Sequence, residues 1–285
     1  MNYITPEQFK KHFTVQGATL AVTPSASLCA RSLGYSVYYC NPEDTLLKSR
    51  KYDTVLMDIP DGFRFPGYKS RHEYAWLKLA LSFVKQDGIV HIKSSTKILT
   101  QLRQFSNLFV EMIEFVDNYV YLKCGIKSQI KDPTVVTYPT GEKIRLDVKK
   151  SILPQVYDQR HIDYIKLVDS SDRQSLYCDS FCVGGKQRNL FFDLYEESKC
   201  KGTYGLLIQN NTKKLQVSKL EDQSCNSSAD IYFFTSKDQR DRYFDLFTKY
   251  DIIKLADNLA CGGEMNKKVQ SYLMNPLIFD YAFSN

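Results

Sequence analysis

Apolar residues in the first 110 positions come in short runs separated by stretches of helical spacing. Ala18 to Val22, Val37 to Cys40, Asp53 to Met57 and Ile89 to Ile92 are compact, mostly apolar runs. Continuous runs of that length suit strands buried on both faces. Helical segments alternate with them. Thr5-Pro6-Glu7 is a helix start, with Thr5 as cap and Pro6 at the first helical position. A small-residue helix is predicted over Ser27 to Leu33, stopped by Gly34. In His72 to Gln86, the residues Leu77, Ala80, Leu81 and Val84 recur at i, i+3, i+4 and i+7, one apolar face of a helix. Asp87-Gly88 reads as a turn. Lys93-Ser94-Ser95-Thr96-Lys97 reads as a polar loop opening a further helix to about Phe109.

This alternation predicts an α/β fold, a Rossmann-like core with a mostly parallel sheet and helices on its faces. Ligands of such sheets bind outside the carboxyl ends of the strands. The polar tips Thr23-Pro24-Ser25, Asn41-Pro42-Glu43-Asp44 and Asp58-Ile59-Pro60-Asp61-Gly62 fall at those ends.

From about residue 115 the pattern shortens. Asn118 to Lys123 and Thr134 to Asp147 read as strands, the latter a hairpin around Pro139-Thr140-Gly141-Glu142. Beyond 150 come short strands, a Gly184-Gly185-Lys186-Gln187-Arg188 loop, a turn cluster at 224–228 and a helix at 236–249. The division is set at 150: an α/β domain with a C-terminal hairpin over 1–150, and a smaller mixed α+β target-recognition or interaction region over 151–285.

Charge sharpens that division. Residues 1–150 hold 21 Lys+Arg against 14 Asp+Glu, a balance of +7, and residues 151–285 hold 17 against 18. A basic first half fits a polyanionic partner such as nucleic acid, and equally a lysine-rich solvated surface. The eight cysteines are scattered singly, without metal-ligand spacing, and read as reduced thiols. No apolar run approaches the ~20 residues of a membrane span, and the first ten residues lack the apolar stretch of a secretory signal. These features predict an intracellular chain, cytoplasmic or nucleoid-associated, with no metal.

The stretch from Lys51 to Asp61 carries the chemistry. An apolar strand ends in Asp58-Ile59-Pro60-Asp61. A long helix follows, then Asp87-Gly88, a strand, and Ser94-Ser95. This resembles the adenine-N6 DNA methyltransferases of restriction–modification systems, whose catalytic loop reads Asn/Asp-Pro-Pro-aromatic at a strand tip. The resemblance implies S-adenosylmethionine as cofactor and a base flipped out of nucleic acid, most simply DNA. Asp58 and Pro60 would then orient the exocyclic amine. Phe63 or Phe65 would stack on the base in place of the family's aromatic, because Asp61 occupies that position. Asp58, Pro60, Asp61 and Phe63 make up the expected catalytic set. Thr5, Pro6, Thr23, Glu43 and Asp44 make up the expected cofactor set, with Glu43 or Asp44 on the ribose. Arg64, Phe65, Lys69, Arg71, Lys93, Lys186 and Arg188 are the expected nucleic-acid contacts.

The departures point the other way. Ile59 stands where the family has proline. Asp61 places a second carboxylate beside Asp58. The loop Val22 to Leu28 contains none of the glycines that let backbone approach a cofactor. About 35 residues separate Thr23 from Asp58, so one strand of the usual core is expected to be missing or shrunken. The alternative function is a catalytically inactive, methyltransferase-like subunit that binds nucleic acid or a protein partner. A third is an unrelated α/β interaction protein whose strand-end turn mimics the loop.

Overall fold

The computed structural model describes residues 3–40, 50–59, 62, 64–67, 69, 72–126, 133–172, 178–181, 188–189, 204–209, 214–220, 224–225, 229–260 and 265–283. The chain divides into two compact units, Met1–Lys150 and Ser151–Asn285.

The first unit is an eight-stranded sheet flanked by helices. Its elements are α1 (Pro6–His12), β1 (Thr19–Ala21), α2 (Pro24–Ser32), β2 (Tyr38–Tyr39), β3 (Tyr52–Asp58), α3 (His72–Phe83) and β4 (Val84–Ser95). A 3-10 helix (Thr96–Gln104) follows, then β5 (Leu108–Val116), β6 (Tyr119–Ile126), β7 (Thr134–Thr137) and β8 (Lys143–Leu146). The strand order is β2-β1-β3-β4-β6-β5-β7-β8. Neighbours from β2 to β4 run parallel, as do β5 and β7, while β6 runs against both β4 and β5. This is the α/β architecture that the alternation of runs predicts.

Local chemistry accounts for most boundaries. The Thr5 hydroxyl accepts from the Gln8 N–H and the Gln8 side chain accepts from the Thr5 N–H, a complete capping box at α1. β3 is buried at Tyr52 and from Thr54 to Asp58, as expected of a central strand covered on both faces. The hairpin closes where Tyr138 N–H donates to the Glu142 carbonyl, with Gly141 at φ +93°.

Three expectations for the first unit are corrected. Helix α3 ends at Phe83, so Val84 opens a strand instead of completing the helix face. Asp87, at φ +60°, bends β4 locally, and the parallel pairing with β3 resumes at Thr54 with Ile89. The polar stretch Lys93 to Ser95 is strand, because Lys93, Ser94 and Ser95 pair with Tyr121, Val120 and Tyr119 of β6. The helix expected to reach Phe109 stops at Gln104, and β5 takes up the apolar run from Leu108, zipped onto β6.

The second unit holds a four-stranded antiparallel sheet, ordered β12 (Val217–Lys219), β11 (Tyr204–Gln209), β14 (Ala229–Phe234) and β9 (Cys178–Phe181). A separate ribbon pairs β10 (Arg188–Asn189) with β13 (Ser224–Cys225). Helices α4 (Gln159–Ser170), α5 (Lys237–Phe247), α6 (Tyr250–Ala260), α7 (Lys267–Leu273) and α8 (Ile278–Phe283) complete it. Leu206, Ile208, Tyr232 and Phe234 of the sheet pack with Phe247 and Leu255 in one apolar core. Ser236 caps α5 by accepting from Gln239 N–H, where the sequence predicts a helix start. Among the described residues no helix is long and apolar enough to cross a membrane.

Two consequences are measurable. A Cβ on Gly125 would lie 2.4 Å from the Gly88 carbonyl oxygen of the adjoining strand. Gly125→Ala is therefore expected to cost about 1–3 kcal/mol in urea unfolding. His91 is buried, and its Nε2 accepts from the Thr14 N–H and hydroxyl at 3.3 and 2.8 Å. Burial, reinforced by Lys123, pushes its pKa from 6.5 down to about 4. The unfolded chain then binds the proton that the folded chain refuses. Stability is complete above pH 6.5 and falls as pH drops toward 4. Between pH 7 and 4.5 the wild type should lose about 2 kcal/mol more than His91→Gln, measured by urea midpoints.

Candidate functional site

The chain leaves β1 toward β2 on one side and returns to β3 on the other, so the order of strands reverses between β1 and β3. Crevices that receive ligands in open parallel sheets lie at such a reversal, outside the carboxyl ends. Asp58 is the last residue of β3, and the loop after β1, Val22 to Ser25, faces it. Sequence and topology thus bring Asp58 and Thr23 to one mouth.

The Asp58 carboxylate is closed off. It is 0% exposed. The Ile4 N–H donates to its Oδ2 at 2.9 Å. Lys93 Nζ stands 3.4 Å from Oδ1, an ion-pair distance at which Oδ1 has no aligned hydrogen bond. The backbone of the same residue is also held. Its N–H donates to the Thr23 hydroxyl at 2.9 Å, and its carbonyl accepts from the Ser25 hydroxyl at 3.3 Å. Strand register explains the pair, since Asp58 and Lys93 are direct partners across β3 and β4. Lys93 is in turn level with Tyr121 of β6, and Tyr121 with Glu114 of β5.

A polar row therefore crosses four strands beneath the N-terminal segment. The Lys93 ammonium lies 4.7 Å from the Tyr119 ring. Tyr121 stacks on His12 at 3.9 Å, and His12 Nδ1 is 2.9 Å from Glu114 Oε2. Burial raises the Tyr121 phenol far above its usual range, with Asp58 adding to the effect. Burial also lowers His12, against the pull of Glu114.

Beside the mouth lies a cleft of about 530 Å3 lined by Tyr3, Ile4, Pro6, Pro24, Leu28 and Cys29, with Ser25 and Ser32. Both helices that bound it start with Thr-Pro, and both prolines line it. The Thr5 hydroxyl caps its own helix, whereas the Thr23 hydroxyl is taken by Asp58 and makes no cap bond in α2. The described walls carry apolar groups, hydroxyls and a thiol but no acid. They suit a flat apolar part of a nucleotide cofactor and supply no carboxylate for its ribose or ammonium. Among the described residues no group of three or more His, Cys, Asp or Glu could hold a metal.

The remaining expected residues separate clearly. Pro6 and Thr23 reach the mouth or cleft, while Thr5 is exposed and spent on the cap. Lys93, expected on phosphate in a surface loop, is buried in β4 and turned to Asp58, so that placement is corrected. Arg64 and Lys69 are exposed. Phe65 packs edge-on against Trp76 at 4.8 Å, and its N–H donates to His72 Nδ1. Arg188 lies in β10, described there by backbone alone. Glu43, Asp44, Pro60, Asp61, Phe63, Arg71 and Lys186 lie outside the described residues. Sequence reading missed Ile4, whose contribution is a backbone N–H, and Leu28 and Cys29, which look like ordinary helix residues. The doubled Thr-Pro at 5–6 and 23–24 was the available signal.

No family model matches the chain, and no curated protein matches it. One solved structure with local similarity is a ribosomal protein L11 methylase from Lactobacillus delbrueckii subsp. bulgaricus, at 10% identity and a TM-score of 0.30. The match covers 42% of this chain and 74% of that one. Likeness that shallow carries no argument, and the fold rests on the strand order itself.

Removing one partner of a buried pair strands the other charge. Lys93→Met is expected to destabilise the protein by about 3–5 kcal/mol. Asp58→Asn with Lys93→Met removes both charges and keeps an acceptor for Ile4, so it should cost markedly less than Lys93→Met alone. Chemical denaturation of the two variants and the wild type checks this, and equal losses would count against a closed pair.

Proposed function

We propose that this chain is a methyltransferase-like protein in which the acid at the strand tip has become a structural latch. On this reading it serves, without methyl transfer, as a nucleic-acid-binding or scaffolding subunit. One observation carries the proposal: the Asp58 carboxylate is fully buried, with Ile4 N–H on one oxygen and Lys93 beside the other.

An acid that orients an exocyclic amine must have an oxygen free to accept from it. Oδ2 already accepts from the Ile4 N–H, and Oδ1, which makes no hydrogen bond, is buried beside the Lys93 ammonium at 3.4 Å. The backbone carbonyl of Asp58 is taken by Ser25 as well. Phe65, one of the two aromatics available to stack on a base, spends an edge contact on Trp76. The glycine-free loop after β1 adds support, because side chains there hold backbone and cofactor apart. The basic balance of residues 1–150 and the exposed Arg64 and Lys69 support a polyanionic partner.

A second reading, an active adenine-N6 DNA methyltransferase using S-adenosylmethionine, is favoured by one fact: Asp58 ends β3 at the strand-order reversal. That reading requires Ile4 and Lys93 to leave Asp58 when substrate enters. The cofactor would supply the methyl group. In the latched form this chain's residues would hold only its apolar part, between Pro6, Pro24 and Leu28.

Transfer of labelled methyl from S-adenosylmethionine to DNA separates the two. The expected result is incorporation no higher than in Asp58→Ala. Incorporation well above that control would establish the active reading. A rise in melting temperature with S-adenosylmethionine but no transfer would leave a cofactor-binding, non-catalytic subunit.

A further inference from the structure

We infer that β2, the outermost strand of the sheet among the described residues, is a contact surface for single-stranded nucleic acid, formed by Tyr35, Tyr38 and Tyr39 with Arg31 and Arg50. The inference deepens the nucleic-acid half of the proposed function and is independent of its cofactor half.

The first observation is where the exposed rings lie. Among the described residues of the first unit, the large hydrophobics left in solvent are Tyr3, Leu28, Tyr35, Tyr38 and Tyr39. All fall within residues 3–39, on the margin formed by the N-terminal segment, α2 and β2. The three tyrosines of the β2 end are 38%, 46% and 38% exposed. Single exposed apolar residues are ordinary, but aromatic residues gathered on one margin mark an interaction surface.

The second observation is the charge beside them. The Arg50 guanidinium lies 5.1 Å from the centre of the Tyr38 ring. Arg31 donates to the Val37 carbonyl at 3.2 Å, which holds its charge against the start of β2. Lys10, Lys11 and Lys51 are exposed on the same sequence segments. Lys11 pairs with Glu114 of β5 at 3.8 Å, and among the described residues of 3–40 and 50–51 the other four cations stand beside one acid, Glu7. Rings with solvent-facing surfaces and an excess of positive charge are what a sugar–phosphate chain with unpaired bases needs.

Geometry selects the single strand. Neighbouring residues on a strand point to opposite faces, so Tyr38 and Tyr39 present rings on both sides of the edge. Splayed bases can lie on each, whereas a duplex hides its base faces in its own stack. Edge pairing with a second copy is the rival occupant. β2 offers only two residues for it, too few ladder bonds for a stable added strand.

The test is fluorescence anisotropy of a labelled oligothymidylate of about 20 nucleotides with the full chain, over a salt series. Tyr38→Ser with Tyr39→Ser should weaken binding about tenfold or more with the salt slope retained, and the corresponding Phe pair should restore it. Arg31→Gln with Arg50→Gln should flatten the slope of log affinity against log salt by about 1.4. Wild-type binding that neither pair alters would place the contact elsewhere and overturn this inference while leaving the nucleic-acid reading intact. No wild-type binding would overturn both. Sedimentation showing dimers that the serine pair abolishes, without oligonucleotide binding, would assign the edge to a second copy instead.

Discussion

A buried carboxylate in the middle of a sheet is unstable unless its charge is met, and the first unit is arranged around meeting one. The Asp58 carboxylate draws a backbone N–H from the N-terminal segment and an ammonium from the neighbouring strand, while its backbone N–H donates to the Thr23 hydroxyl and its carbonyl accepts from the Ser25 hydroxyl. These partners come from three places in the sequence. The first residues of the chain, the β1–α2 junction and the tip of β4 are thereby fixed to the tip of β3. Neutralising the charge without the rest would leave an apolar strand end with unpaired donors around it.

On the proposed reading that constraint is also what separates binding from catalysis. A site for chemistry on an amine keeps its acceptor available and lets the substrate complete the hydrogen bonds. In this protein the Ile4 N–H already takes Oδ2, and the Lys93 ammonium stands 3.4 Å from Oδ1. On the proposed reading Ile4 provides the N–H that a substrate amine would have brought, and Lys93 stands beside the other oxygen. The neighbouring cleft remains, walled by rigid prolines and by Leu28. On the proposed reading the mouth of the sheet keeps the shape of a ligand site while its acid serves the structure.

Part of this was legible in the residues. Short apolar runs with polar tips gave the parallel strands from β1 to β4, and Thr5-Pro6-Glu7 gave the start of α1. Asp58 could be assigned to a strand tip because an apolar run stops there. The position of β5 was not legible, since Leu108-Phe109-Val110 follows a stretch with helical spacing and only pairing with β6 makes it a strand. Lys93 misled for a related reason. A lysine followed by two serines looks like a loop until a partner strand with tyrosines at 119 and 121 covers it.

What the sequence determined by itself is therefore local: which segments favour strand or helix, where caps and turns fall, and that an acid closes the third strand. Those features depend on contacts within a few residues, so periodicity and side-chain chemistry suffice to find them. The state of Asp58 depends on residues 54 positions before it and 35 after it. Only the register of β3 against β4, and the return of the N-terminal segment over the sheet, bring them within bonding distance. Whether a carboxylate reacts or holds is set by which donors reach it, and tertiary structure alone decides that.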